Sequence, residues 1–251
     1  MAISVLSDIA SKTVNPFNFG KLSRWSASGN GTGITNFGAQ AFTVVGTATA
    51  HNTAITNAYT QAKKIEWLVT TASTSAVVSF RHSAALWWRG NAAGVGGFYY
   101  KCDFGPATGV ATATNRTFFG LRNSISAASD VEPSTLVDCI GVGWDAADAN
   151  IQIFSNDNAG TCSKIDLGAS FPVPTVDRTK FYRIVFYCEP NGSEINYEFR
   201  EFLTSNVANG VISSDIPGNT VYLTPFGYCS VGGTSSVIGM GFSDLVLATN
   251  Y

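Results

Sequence analysis

Apolar and polar residues alternate with period two along much of this chain. In residues 194–200, Ile195, Tyr197 and Phe199 share one face, and Glu194, Asn196, Glu198 and Arg200 share the other. Successive strand side chains point to opposite faces, so this segment predicts a half-buried antiparallel strand with one solvated face. Residues 181–188 are apolar at nearly every position, as in an inner strand covered on both sides. Between the two lie Pro190, Asn191 and Gly192. Asn-Gly accepts the positive φ angles of a hairpin turn, so the runs should pair.

The pattern recurs in residues 98–104, where Phe98, Tyr100, Cys102 and Phe104 share a face, and in residues 116–121. Residues 139–144 alternate Ile140, Val142 and Trp144 with Cys139, Gly141 and Gly143. The glycines leave room for close approach from an opposite layer, and Trp144 reads as core. Residues 151–155 and 161–166 flank a turn cluster at 156–160. Residues 64–70, 76–82, 236–242 and 244–249 complete the β-rich runs. Helical signal is weak, limited to one or two turns over residues 4–12 and a short turn at 132–136. Many short strands separated by turn clusters predict an all-β, antiparallel jelly-roll β-sandwich. Pro16 and the cluster Gly29–Gly33 interrupt regular structure, so residues 1–25 read as an N-terminal arm or attachment segment and residues 26–251 as the sandwich.

Composition narrows the function. Of 251 residues, 13% are charged against roughly 25% in an average domain, and the net charge is −2. No strong field exists to recruit nucleic acid or an anionic membrane. Mean hydropathy is +0.13, yet no apolar run reaches the ~18 residues of a membrane span, so no membrane insertion is expected. The surface is expected to be rich in Ser, Thr, Asn and Gly. The first sixteen residues lack a basic segment before the apolar stretch, and Asp8 interrupts it, unlike a secretory signal. Cys102, Cys139, Cys162, Cys188 and Cys229 are odd in number and widely spaced, which predicts buried free thiols acting as small hydrophobes.

Several segments carry a resemblance. Residues 96–105 (GGFYYKCDFG), 116–121 (RTFFGL), 131–136 (VEPSTL), 139–148 (CIGVGWDAAD), 152–157 (QIFSND) and 164–172 (KIDLGASFP) resemble the module at the C-termini of tailed-bacteriophage virion proteins, often described as tail fibres. The resemblance spans residues 65–251. It implies a concanavalin-like jelly roll displayed on a virion, assembled in the host cytoplasm and oligomeric, with trimers expected. It supplies no catalytic residues. The short N-terminal segment, in place of a long shaft, leaves room for a capsid-decoration or head-fibre role.

Candidate chemistry is sparse. A glycosidase needs two carboxyls about 5–9.5 Å apart, whereas Glu194 and Glu198 are roughly 13 Å apart on one strand face. Glu198 and Arg200 have the spacing of a surface ion pair. Only His51 and His82 exist, and neither a zinc motif, a G-x-S-x-G elbow nor a phosphate loop is present. Asp145, Asp148 and Asp157 offer oxygen ligands for calcium, although Asp is also an ordinary turn residue. Trp87 and Trp88 are adjacent, so on a strand they face opposite sides, with one in the core and the other exposed, or with both buried in the sandwich or a subunit interface. An exposed indole stacks on the apolar face of a sugar; a buried one belongs to the core or a subunit interface. Trp87, Trp88 and Tyr99 are therefore the candidate glycan-binding residues. No cofactor is expected. The function these readings predict is a non-enzymatic phage virion protein, a tail fibre or tail appendage. It would contact other virion proteins through the arm and a host-surface glycan through the sandwich. Capsid decoration and polysaccharide depolymerase are the alternatives.

Overall fold

The computed structural model describes residues 18–250 and, as backbone, residues 7–9 and 12–14. In chain order the strands are β1 (Ser7–Ile9), β2 (Lys12–Val14), β3 (Lys21–Ala27), β4 (Ile34–Phe37), β5 (Thr43–Val45), β6 (Thr47–Ala50), β7 (Ile65–Ser73), β8 (Val77–Arg81) and β9 (Gly96–Thr108). They continue with β10 (Arg116–Arg122), β11 (Cys139–Trp144), β12 (Gln152–Asn156), β13 (Ser163–Asp166), β14 (Tyr182–Cys188), β15 (Ile195–Glu201), β16 (Val207–Ile212), β17 (Thr224–Ser230) and β18 (Ser236–Asn250). One sheet runs β13-β12-β11-β10-β17-β8-β5. The larger sheet runs β16-β15-β14-β9-β18-β3-β4, with β7 also on β18 and β6 on β7. Pairing is antiparallel throughout. The result is the jelly-roll sandwich that the alternation predicts.

The core lies between the two inner faces. Trp25, Trp67, Phe80, Phe104, Phe119 and Phe242 are all buried there. Phe104 and Phe119 stack across the layers with ring centroids 3.9 Å apart. Fully burying a side chain of this size stabilises the fold by about 1.5–3 kcal/mol, so the aromatic excess of the sequence is spent at the interlayer. The predicted hairpin forms: β14 and β15 pair with Tyr187 opposite Asn196, and Asn191 adopts φ 56° in the turn. Gly141 is needed because a Cβ there would sit 2.4 Å from the Phe118 ring. Phe118 comes from neighbouring β10 on the outer face, not from the opposite layer.

Expectations about the arm, the C-terminal runs and the first helical turn are corrected. The arm does not extend to residue 25. β3 pairs with β18 over Lys21–Ser26, and Trp25 is buried in the core, because its alternating Ser23 and Trp25 fit the inner face. The runs at 236–242 and 244–249 are one strand, β18, with a register shift between Phe242 and Asp244. The bulge absorbs the extra residue while both halves keep their apolar side inward. Within residues 4–12, the described residues 7–9 form a strand paired with β2, not a helical turn.

The solvated face predicted for β15 is also not open, since Asn196 and Glu198 are buried. A short turn at Pro133–Thr135 matches the predicted one. A four-residue helix, Ala58–Gln61, was not foreseen; Asn57 caps it by accepting from Thr60 N–H at 2.9 Å.

Candidate functional site

The segment after β8 and the segment before β17 meet at one end of the sandwich. Trp87 and Leu223 form an antiparallel bridge, with Leu223 N–H donating to Trp87 O and Trp87 N–H to Leu223 O. An extended backbone sends neighbouring side chains to opposite sides. Trp87 turns inward, is 1% exposed, and packs edge-on to Trp25 at 6.2 Å and His82 at 5.7 Å. It cannot serve as a surface platform, and that assignment is withdrawn. Trp88 turns outward, is half-buried, and stacks on Tyr222 with centroids 5.0 Å apart and planes at 22°. Tyr222 is 47% exposed, and Leu86, two residues before Trp88, is 36% exposed.

Arg89 holds this surface in place. Its Nε and Nη2 donate to Gly192 O at 3.1 and 2.7 Å, and its Nη1 donates to Pro217 O at 2.8 Å. Its own carbonyl accepts from Gly97 and Asn191 N–H. One guanidinium thereby ties together the loops after β8, between β14 and β15, and before β17. A platform fixed before binding loses less ordering entropy when a ligand arrives.

Tyr99 lies elsewhere. It is 5% exposed on the outer face of the large sheet, packed with Val185 and Ala248. The apolar cover over that face, including Phe19 and Leu22, removes it as a sugar contact.

Of the three calcium candidates, only Asp145 and Asp148 are brought together. Asp145 and Asp148 share the Lys164 ammonium, with Asp145 Oδ2 3.1 Å away. Burial opposes that charge, but the hydrogen bonds to Asp148 and Asp145 outweigh it and hold Lys164 above its ordinary pKa. Asp157 instead accepts from Ala159 N–H in the β12–β13 turn. A lysine, not a metal, neutralises the pair. Among the described residues no three His, Cys, Asp or Glu side chains converge as a metal site.

A second polar cluster sits beneath the short helix. Glu66 accepts from Tyr59 OH at 2.7 Å and from Arg178 Nε and Nη2, both at 3.1 Å. His51 Nδ1 is 3.2 Å from the same carboxylate. Burial pushes the Glu66 pKa up, but the Arg178 and Tyr59 hydrogen bonds prevail and hold it below the usual range. Lys64 is fully buried, donates to the carbonyls of Tyr59 and Ala62, and lies 3.8 Å from the Tyr59 ring centroid. Desolvation lowers its pKa to about 7. Tyr59 and His51 are buried and the Arg178 side chain is 40% exposed, and together they tie the helix to the sheet through Glu66. The Glu198–Arg200 pair predicted from spacing is present at 3.1 Å. All five cysteines are free and buried, as predicted.

Tyr222 was missed from sequence. It is 134 positions from Trp88, and no local pattern reports a contact across that separation.

No family model matches the sequence, and no curated protein matches it. Solved structures do share the architecture. Lectin UEA-II complexed with galactose aligns at TM-score 0.56 and 10% identity, over 93% of this chain and 100% of that chain. Arcelin-5, a lectin-like defence protein from Phaseolus vulgaris, aligns at 0.55 and 7%, over 92% and 98%. Peanut lectin with a 9mer peptide aligns at 0.54 and 10%, over 91% and 96%. The chain therefore has the lectin-like, concanavalin-like jelly-roll fold. At these identities the likeness is one of fold.

Proposed function

We propose that this chain is a non-enzymatic glycan-recognition protein of a phage virion, acting as a tail fibre or tail appendage, with Trp88 and Tyr222 as its sugar platform. The exposed Trp88–Tyr222 stack, braced by Arg89, carries the reading. Its flat apolar surface complements the C–H face of a sugar ring, one ring per site. Affinity per site is then modest, and a trimer raises it through multivalency. The virion setting is supported by the resemblance across residues 65–251. The low charge also fits a recognition surface that works by stacking and neutral hydrogen bonds, with little for salt to screen.

The test is a glycan array with the purified chain and its Trp88→Ala variant. The native chain should bind a subset of host-surface glycans, and the variant should lose that binding by tenfold or more while melting at the same temperature, consistent with loss of about 1.4 kcal/mol. Equal binding by both would sink the platform. Release of oligosaccharide from host capsule by purified protein would replace the non-enzymatic reading with a depolymerase. Antibody labelling of particles on the head rather than the tail would replace the appendage role with capsid decoration.

A further inference from the structure

A cavity of about 400 Å³ opens beside the platform, between β3 and the segment following β8. Its volume is in the range of pockets that hold small ligands. Lys21 and Ser23 line one wall; they alternate with Trp25 along β3 and so share its inward face. His82, Leu86 and Trp87 line the other, and Gln40 completes it. The cavity is thus the open end of the interlayer, where the aromatic core gives way to polar side chains.

The polar groups there are unbalanced. Trp87 lines the cavity, although its Nε1 is itself shut off from solvent and has no hydrogen-bond partner. Gln40 Oε1 already accepts from Ser83 Oγ at 3.1 Å, which leaves its amide nitrogen, a donor. His82 Nδ1 lies 3.2 Å from Ala84 N and 3.0 Å from Ala84 O, and which of these it engages sets whether Nε2 accepts or donates. Lys21 adds a cation, and no carboxylate is among the lining residues. A lining with one cation, one amide donor and no negative charge complements an anionic acceptor.

Leu86 connects this cavity to the platform. It lines the cavity and lies two residues before Trp88 on the extended segment, roughly 7 Å along the backbone. One oligosaccharide can reach both. We infer that the cavity receives the carboxylate of an acidic sugar, of uronic or sialic type, from a glycan whose neighbouring ring stacks on Trp88 and Tyr222. This rests on the glycan reading above. It assigns Lys21 and Gln40 to discrimination between acidic and neutral glycans.

The experiment compares a glucuronate-containing oligosaccharide with its carboxyl-reduced, neutral counterpart. The acidic form should bind about tenfold more tightly at low salt, as charge-assisted hydrogen bonds are roughly twice as strong as neutral ones. The preference should collapse in Lys21→Gln, with unchanged melting, and shrink as salt rises. In ¹⁵N-labelled protein the Trp87 indole N–H resonance, assigned with Trp87→Phe, should shift with the acidic ligand and stay put with the neutral one. Equal binding of both forms, with Lys21→Gln silent and the Trp87 resonance unmoved, would overturn the inference. Tighter binding of a phosphorylated oligosaccharide would overturn the carboxylate assignment. The two readings fail separately. If Trp88→Ala abolishes binding but acidic and neutral forms bind alike, the platform stands and the cavity falls. A Trp87 shift with glucuronate alone, together with a silent Trp88→Ala, reverses that result.

Discussion

Trp87 and Trp88 are neighbours in sequence and occupy different environments, because the Trp87–Leu223 bridge fixes an extended backbone at this point. Substitution should separate them by measurement. Trp87→Ala removes a 1%-exposed indole and should lower unfolding stability by about 3–5 kcal/mol in denaturant titration. Trp88→Ala should change stability by less than about 1 kcal/mol, since its outward ring is part of the surface. The doublet was legible as two indoles on opposite sides of the backbone, either one exposed or both buried. Which indole went where was not, because the answer depends on a bridge to residue 223. Likewise, the composition of Asp145 and Asp148 suggested metal ligands. Lys164, placed beside them by β12–β13 pairing, fills that role with an ammonium.

At the scale of elements, local pattern served best where both partners of a hairpin are close in sequence. β14 and β15 pair as their alternation and the Asn191 turn predicted. β11 occupies the predicted residues 139–144. Gly141 there faces Phe118 of β10, so Gly141→Ala forces a Cβ into an aromatic ring. It should destabilise the fold by about 1–3 kcal/mol, and Phe118→Leu in the same chain should recover part of that loss by vacating the space. Strands β3 to β6 were invisible as strands. β4 to β6 are three or four residues long, β3 mixes Lys, Ser and Arg with its apolar residues, and they gain their order from sheet partners such as β18 and β8. The exposed pattern of β4 and β5 carries little period-two signal.

The whole molecule sets its pH response. Lys64 has a folded-state pKa near 7 against an ordinary 10.5. Between these values the unfolded chain holds a proton that the folded chain has released, so stability rises with pH across that interval. Thermal midpoints should climb between about pH 7 and pH 8.5, and the slope should vanish in Lys64→Met whatever that variant's absolute stability. Above the ordinary thiol value the trend reverses. Cys102 and Cys229 are held protonated by burial, while the unfolded thiols ionise. On the acid side, burial and then Lys64 lower the His51 pKa, so its contribution is lost as pH falls below about 6.5. For assembly, light scattering should give a mass near three times 26.5 kDa; a mass near one chain would refute the proposed trimer.

By itself the sequence determined the fold class and the chemical temper of the surface. Period-two alternation, turn clusters and a 13% charged content are local or summed properties, and they specify inward and outward faces wherever the backbone is extended. The tertiary structure alone decided the site. Trp88 meets Tyr222, Lys21 faces His82 across one cavity, and Arg89 binds Gly192 and Pro217. Each of these contacts joins segments more than sixty residues apart, and such proximity is set by sheet order and register, which no local pattern encodes.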